Sequence, residues 1–160
     1  MTLKTLLIGL GNPILGDDGV GWRVVDALAP HFPSLEMDRL SLGGLSLMER
    51  MIGYERVILI DSLITGQFPL GHVSSYTLDQ LPDRAGGHTT AAHDTSLCTA
   101  LRVGQQMGAE LPNPQNIHII GIETLPTFDF SEELSPSVAE AVPTAAQLIL
   151  NLLGGNHDLP

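Results

Sequence analysis

The stretch from Leu6 to Gly21 (Leu6-Leu7-Ile8-Gly9-Leu10-Gly11-Asn12-Pro13-Ile14-Leu15-Gly16-Asp17-Asp18-Gly19-Val20-Gly21) constrains this chain more than any other. An apolar run ends among glycines, a short loop follows, and two adjacent carboxylates open a helical pattern. Glycine lets the backbone turn sharply and approach its neighbours closely. Acids at a helix start are favoured by the positive end of the helix dipole. The stretch therefore reads as strand, tight loop and helix, with carboxylates at the strand's carboxyl end, where open α/β sheets bind ligands. A plainer use of the same acids is to cap the helix.

The remainder of the chain repeats the alternation. Thr5 to Leu10 is the first strand, and Val20, Val24, Ala27, Leu28 and His31 fall on one helical face before Pro33. Leu35 to Leu42 reads as a second strand closed by Gly43-Gly44, and Leu45, Met48, Met51 and Ile52 trace a short amphipathic helix. Arg56-Val57-Ile58-Leu59-Ile60-Asp61 has the unbroken apolar run of a strand covered on both faces, and it is expected to end at Asp61. Gly71 to Leu78 is a further strand, and Asp79 to Ala92, without periodicity, a long loop. His93-Asp94-Thr95-Ser96 enters a helix whose apolar side carries Leu97, Cys98 and Leu101, which predicts a buried structural thiol at Cys98. Ile117 to Ile122 is the last strand. The final helix starts with Ser135 as N-cap and Pro136 behind it, and turns Val138, Ala141, Val142, Ala145, Leu148, Ile149 and Leu152 inward. The expectation is a single α/β domain over residues 1–155, with a mostly parallel, helix-covered sheet and a tail at 156–160.

Charge narrows the function. A net charge of −11 is a poor footprint for nucleic acid and for an anionic membrane surface. One cysteine allows no internal disulfide and fits a reducing compartment, so a soluble cytoplasmic protein is expected.

Three polar positions recur at equivalent places. Asp18 (or Asp17) follows the first strand, Asp61 closes the central strand, and His93 stands where the long loop meets a helix, with His88 a rival in the same loop. In a parallel sheet these places share one edge. Two carboxylates and an imidazole suit a divalent transition metal such as nickel or zinc. Each residue alone has an ordinary structural use as well. Glu123, just past the last strand, reads equally as a member of this edge or as a solvated acid. A dinucleotide site fails, since the third glycine of the fingerprint is Ile14 and two acids stand where a pyrophosphate would sit.

Gly9-x-Gly11-Asn12 with Gly16-Asp17-Asp18-Gly19-Val20-Gly21, the central Asp61, and His93 before a helix together resemble the maturation endopeptidases of nickel–iron hydrogenases. The resemblance spans nearly the whole chain and extends to Gly43-Gly44, Gly121-Ile122 and Leu134-Ser135-Pro136. It implies a three-layer α/β/α domain with a twisted, mostly parallel five-stranded sheet. It implies an aspartyl-type endopeptidase that removes the C-terminal extension of the hydrogenase large-subunit precursor after nickel insertion. It also implies a catalytic and metal-contacting set of Asp18, Asp61 and His93, with nickel supplied by the substrate, and zinc or another divalent metal able to take its place in the isolated protein. The expected partner is that precursor, met by a monomer, with neither nucleic acid nor membrane involved. Where relatives carry Glu in the first motif this chain has the shorter Asp18, which leaves a role open for Asp17.

Two other functions compete. A nickel-checking binding module would need the same ligands without cutting. Peptidyl-tRNA hydrolases open with a similar Gly-Leu-Gly-Asn-Pro, but Ile14-Leu15-Gly16-Asp17-Asp18 departs from their continuation and the acidic chain suits tRNA poorly.

Overall fold

The computed structural model of the chain describes residues 3–41, 43–80 and 92–154, with side chains from residue 97 onward in the last segment. Alternating strands and helices build one sheet of five strands: β1 (Thr5–Leu10), β2 (Glu36–Leu40), β3 (Arg56–Leu63), β4 (Val73–Thr77) and β5 (Ile117–Glu123), in spatial order β2-β1-β3-β5-β4. β1 pairs in parallel with β2 and β3, and β3 in parallel with β5. Among the described residues only the edge strand β4 runs antiparallel, against β5. The expected mostly parallel sheet is present.

Its strands alternate because both faces are covered. Leu6, Ile8, Leu10, Val57, Leu59, Ile117 and Ile119 pack on one side against α2 (Gly44–Met51) and α3 (Ala92–Gln106). Leu7, Ile58, Ile60, Ile120 and Ile122 pack on the other against α1 (Val20–Leu28) and α4 (Pro136–Leu152). Period-2 side-chain direction in the strands thus feeds two separate apolar layers.

The crossover from β1 to β2 uses α1 on one face, and the crossover from β2 to β3 steps back over β1 with α2 on the other face. Right-handed connections that go opposite ways along a sheet must leave from opposite faces. The switch point therefore lies between β1 and β3, and a crevice opens at their carboxyl ends. The start of α1 can lie close against β1 and β3 because Gly21 has no side chain. A Cβ there would stand 2.5 Å from the Ile60 carbonyl oxygen and 2.6 Å from that of Leu10.

Several local expectations are corrected. β3 continues through Ser62 and Leu63, pairing with Ile122 and Glu123, so Asp61 lies inside the strand rather than at its end. The inward residue of α2 is Leu47 beside Met48 and Met51, whereas Leu45 and Ile52 are exposed. In α1 the inward set includes Val25, and His31 lies exposed in a 3-10 turn (Ala29–His31) beyond the helix. Cys98 is half-buried, packed against the α2/α3 side of the core. Most of the expected 79–92 loop, and the 156–160 tail, lie outside the described residues. Among the described residues no helix is long and apolar enough to cross a membrane.

Candidate active site

The loop from Gly11 to Gly19 closes on itself before α1 begins. Gly11 has φ +138°, and a Cβ on it would collide with the Asp18 carbonyl oxygen, so only glycine fits this close approach. The Asn12 N–H donates to Asp18 Oδ2 at 2.8 Å, and the Asp18 N–H donates to the Leu15 carbonyl at 3.1 Å. Gly16 to Gly19 form a 3-10 turn, in which consecutive side chains point about 120° apart. That geometry sends Asp17 and Asp18 to different partners.

Asp17 is buried and faces α4. Its Oδ1 accepts from the Ser135 N–H at 2.7 Å, and its Oδ2 accepts from the Ser135 hydroxyl at 2.8 Å. Ser135 holds the expected N-cap position of α4, but its hydroxyl makes no cap bond there and turns to Asp17 instead. Neither Asp17 nor Asp18 caps the helical turn on which it lies, so the plain capping use of these acids does not apply.

Asp18 is half-buried and faces β3. Its Oδ1 accepts from the Ser62 hydroxyl at 3.1 Å, while the Ser62 N–H donates to Asp61 Oδ1 at 2.8 Å. One serine thus touches both acids. Asp61 is only 2% exposed. A carboxylate has about four acceptor positions. The bonds to Asn12 and Ser62 therefore leave Asp18 with acceptor capacity for a cation or a substrate proton.

His93 falls in the first turn of α3, and its side chain, like the whole of His88, lies outside the described residues. Backbone placement still orients the helix. Its C-terminal side is at the amino edge of the sheet, because the Gly53 N–H, just before β3, donates to the Glu110 carbonyl at 2.9 Å. Fifteen helical residues rise about 22 Å, so α3 begins toward the carboxyl edge where Asp18 and Asp61 lie. Among the described residues no three His, Cys, Asp or Glu side chains form a metal-holding group. The described part of the candidate set is the pair Asp18 and Asp61.

Two residues of this edge were not legible as such in the sequence. Ser62 follows Asp61 within β3 and carries no motif of its own. Glu123, left open between edge member and solvated acid, is 4% exposed. Its carboxylate accepts from the Thr65 N–H at 2.8 Å, the Thr65 hydroxyl and the Gly66 N–H at 3.4 Å, which ties down the loop after β3. It is a structural acid.

Beyond this edge lies an open pocket of about 260 Å³ lined by Leu15, Asp18, Ile64, Leu125, Pro126 and Phe128, among others. Asp18 is the acid in its wall.

Known proteins share this architecture. A solved hydrogenase maturation protease, HybD from Thermococcus kodakarensis, superposes with a TM-score of 0.74 at 24% identity, covering 94% of this chain and 99% of that one. A hydrogenase 2 maturation peptidase from a Thaumarchaeota archaeon is 31% identical, with a TM-score of 0.62 over 94% of this chain and 98% of its own. In sequence, the hydrogenase expression/formation protein HupD of Thiocapsa roseopersicina is 26% identical over 94% of this chain and 67% of its own length. The family model for hydrogenase maturation proteases matches residues 40–152, from the end of β2 to the end of α4. That match takes in Asp61, Ser62 and His93, and the loop that carries Asp18 is bonded directly to it. The binding-module and peptidyl-tRNA hydrolase readings give way, and the chain belongs to the hydrogenase maturation proteases.

Proposed function

We propose that this protease removes the C-terminal extension of a nickel–iron hydrogenase large-subunit precursor, and that it recognises the nickel already inserted there. In this reading Asp18, Asp61 and His93 complete the coordination shell of the substrate's nickel. One observation supports it above the others: Ser62, near the carboxyl end of β3, bonds through its hydroxyl to Asp18 and through its N–H to Asp61, which links both acids to one residue at the β1/β3 switch point. Oxygen and imidazole donors suit a borderline divalent ion, so zinc or a similar metal would also fit the isolated site. Asp17 is set aside, because it is buried against Ser135 of the α4 N-cap and is not in the wall of the pocket that Asp18 lines. The single half-buried Cys98 fits action in the reducing cytoplasm, and the reading takes the protease to act as a monomer on one precursor at a time.

Coordination would act chiefly through proximity. A substrate held by its own metal at Asp18 and Asp61 presents the neighbouring peptide bond to the crevice, and a bound geometry of this kind replaces a bimolecular encounter. The same dependence protects other proteins: a chain without the metal has no anchor. The decisive experiment incubates the protein with nickel-loaded and nickel-free precursor and reads intact masses. Loss of one C-terminal peptide from the loaded form alone is expected. Equal cleavage of both forms would overturn nickel recognition, and cleavage of neither would overturn the substrate.

A further inference from the structure

The segment between β5 and α4 displays apolar side chains next to Asp18 that metal coordination by Asp18, Asp61 and His93 does not require. Phe128 is 89% exposed, Phe130 79% and Leu125 64%, with Ile14 and Ile64 exposed beside them. Large apolar groups gathered in one surface region mark interaction sites more often than chance exposure does.

These residues are presented by a fastened backbone. The Thr124 N–H donates to the Leu63 carbonyl at 2.7 Å, and the Ser131 N–H to the Ile14 carbonyl at 2.8 Å. The Gly16 N–H donates back to the Ser131 carbonyl at 2.7 Å, and Arg23 donates to the Glu132 carbonyl. Segment 124–132 is therefore tied at one end to β3 and at the other to the loop that carries Asp18. The backbone that presents its phenylalanines is thus anchored at both ends, which lowers the loop-ordering cost of binding.

Charge indicates what comes to this surface. Asp129, Glu132 and Glu133 are exposed within the same segment, and among the described residues their carboxylates make no ion pair. The chain as a whole carries −11. At about 260 Å³ the open pocket between Asp18 and Phe128 has room for a side chain of a larger partner.

We propose that Ile14, Ile64, Leu125, Phe128 and Phe130 form an exosite, continuous with the Asp18 pocket, for an apolar segment flanked by Lys or Arg in the precursor's extension. The proposal rests on the precursor being the substrate. The exosite binds the extension apart from the scissile bond and keeps it across the crevice while the metal-bearing part of the precursor meets Asp18 and Asp61. Binding of this kind is shared by ground and transition states, so its loss raises KM and spares kcat.

The test is steady-state processing of nickel-loaded precursor by the wild type, by the double variant Leu125→Ser/Phe128→Ser, by Phe128→Leu, and by the triple variant Asp129→Asn/Glu132→Gln/Glu133→Gln. The serine variant is expected to raise KM about tenfold or more with kcat retained, since anchors of this kind dominate contact energies. Phe128→Leu keeps the apolar bulk and is expected to hold KM near the wild-type value. The triple variant is expected to flatten the dependence of KM on salt. Leu125 and Phe128 are exposed, so both proteins should melt like the wild type, and the melt is recorded for each. An unchanged KM in the serine variant overturns the exosite. So does an unchanged KM accompanied by conversion of a wild-type dimer to monomer in sedimentation, which would make the surface a self-contact. No processing by the wild type would instead strike at the substrate assignment.

Discussion

Asp17 accepts two hydrogen bonds from Ser135, one from its N–H at 2.7 Å and one from its hydroxyl at 2.8 Å, across 118 residues of chain. The contact clamps the loop after β1 to the first turn of α4. Removing the carboxylate would strand two donors at a largely buried place. Asp17→Ala is expected to cost about 1–3 kcal/mol, read as a lower urea midpoint, while the folded fraction still processes precursor. A variant of wild-type stability and no activity would move Asp17 into the reacting site.

Asp18→Ala should behave in the opposite way. It gives up hydrogen bonds to the Asn12 N–H and the Ser62 hydroxyl, which is expected to cost about 1 kcal/mol of stability. Processing should fall by at least about 100-fold, because even the outer partners of a metal ligand carry 10- to 100-fold effects. The check is a melt alongside initial rates. Retained processing would remove Asp18 from the proposed ligand set.

Ser62→Ala isolates one arm of the clasp. The backbone N–H still donates to Asp61, but Asp18 loses its hydroxyl partner. Processing is expected to drop about 10- to 100-fold, with Ser62→Thr restoring most of it. A fall in stability with kcat and KM both unchanged would make the serine merely structural.

Gly21→Ala tests the close approach of α1 to the sheet. The added carbon would meet the carbonyl oxygens of Ile60 and Leu10, both fixed backbone, so nothing flexible can yield. The expected destabilisation is about 3 kcal/mol, visible in chemical denaturation, and a stability equal to wild type would contradict the packing described.

His118 on β5 supplies a pH dependence. Burial, and secondarily the nearby Arg56 charge, hold its imidazole below the ordinary 6.5. The folded state therefore prefers the neutral ring, and the unfolded state takes up a proton first. Stability is full above 6.5 and is lost as pH falls through that value toward the lower folded-state one. Replacing it by a neutral ring-free side chain, His118→Gln, should shrink the difference in urea midpoint between about pH 7.5 and pH 5.5. An unchanged difference would show that other groups govern that window.

Much of the frame around the candidate site was readable from local pattern. Gly9, Gly11 and Gly16 around the first loop announced a tight strand-to-helix turn, and the run Val57–Ile60 announced a central strand with an acid near its carboxyl end. Local pattern misjudged the inward face of α2, where Leu45 and Leu47 sit two residues apart and both fit a short helical stripe. It also stopped β3 early, because a charged residue inside a strand looks like its end until β5 is seen to continue the pairing to Glu123.

The sequence by itself determined the order of elements, the two-sided burial of the central strands and the chemical types gathered at the carboxyl edge. Those properties follow from spacing and composition within short windows. Only the tertiary structure showed that Asp17 meets Ser135 while Asp18 meets Ser62, and that Glu123 is a buried anchor for Thr65 and Gly66. The physical reason is distance along the chain. Neighbours in a 3-10 turn point about 120° apart, and what each meets, Ser135 or Ser62, arrives from 118 or 44 residues away.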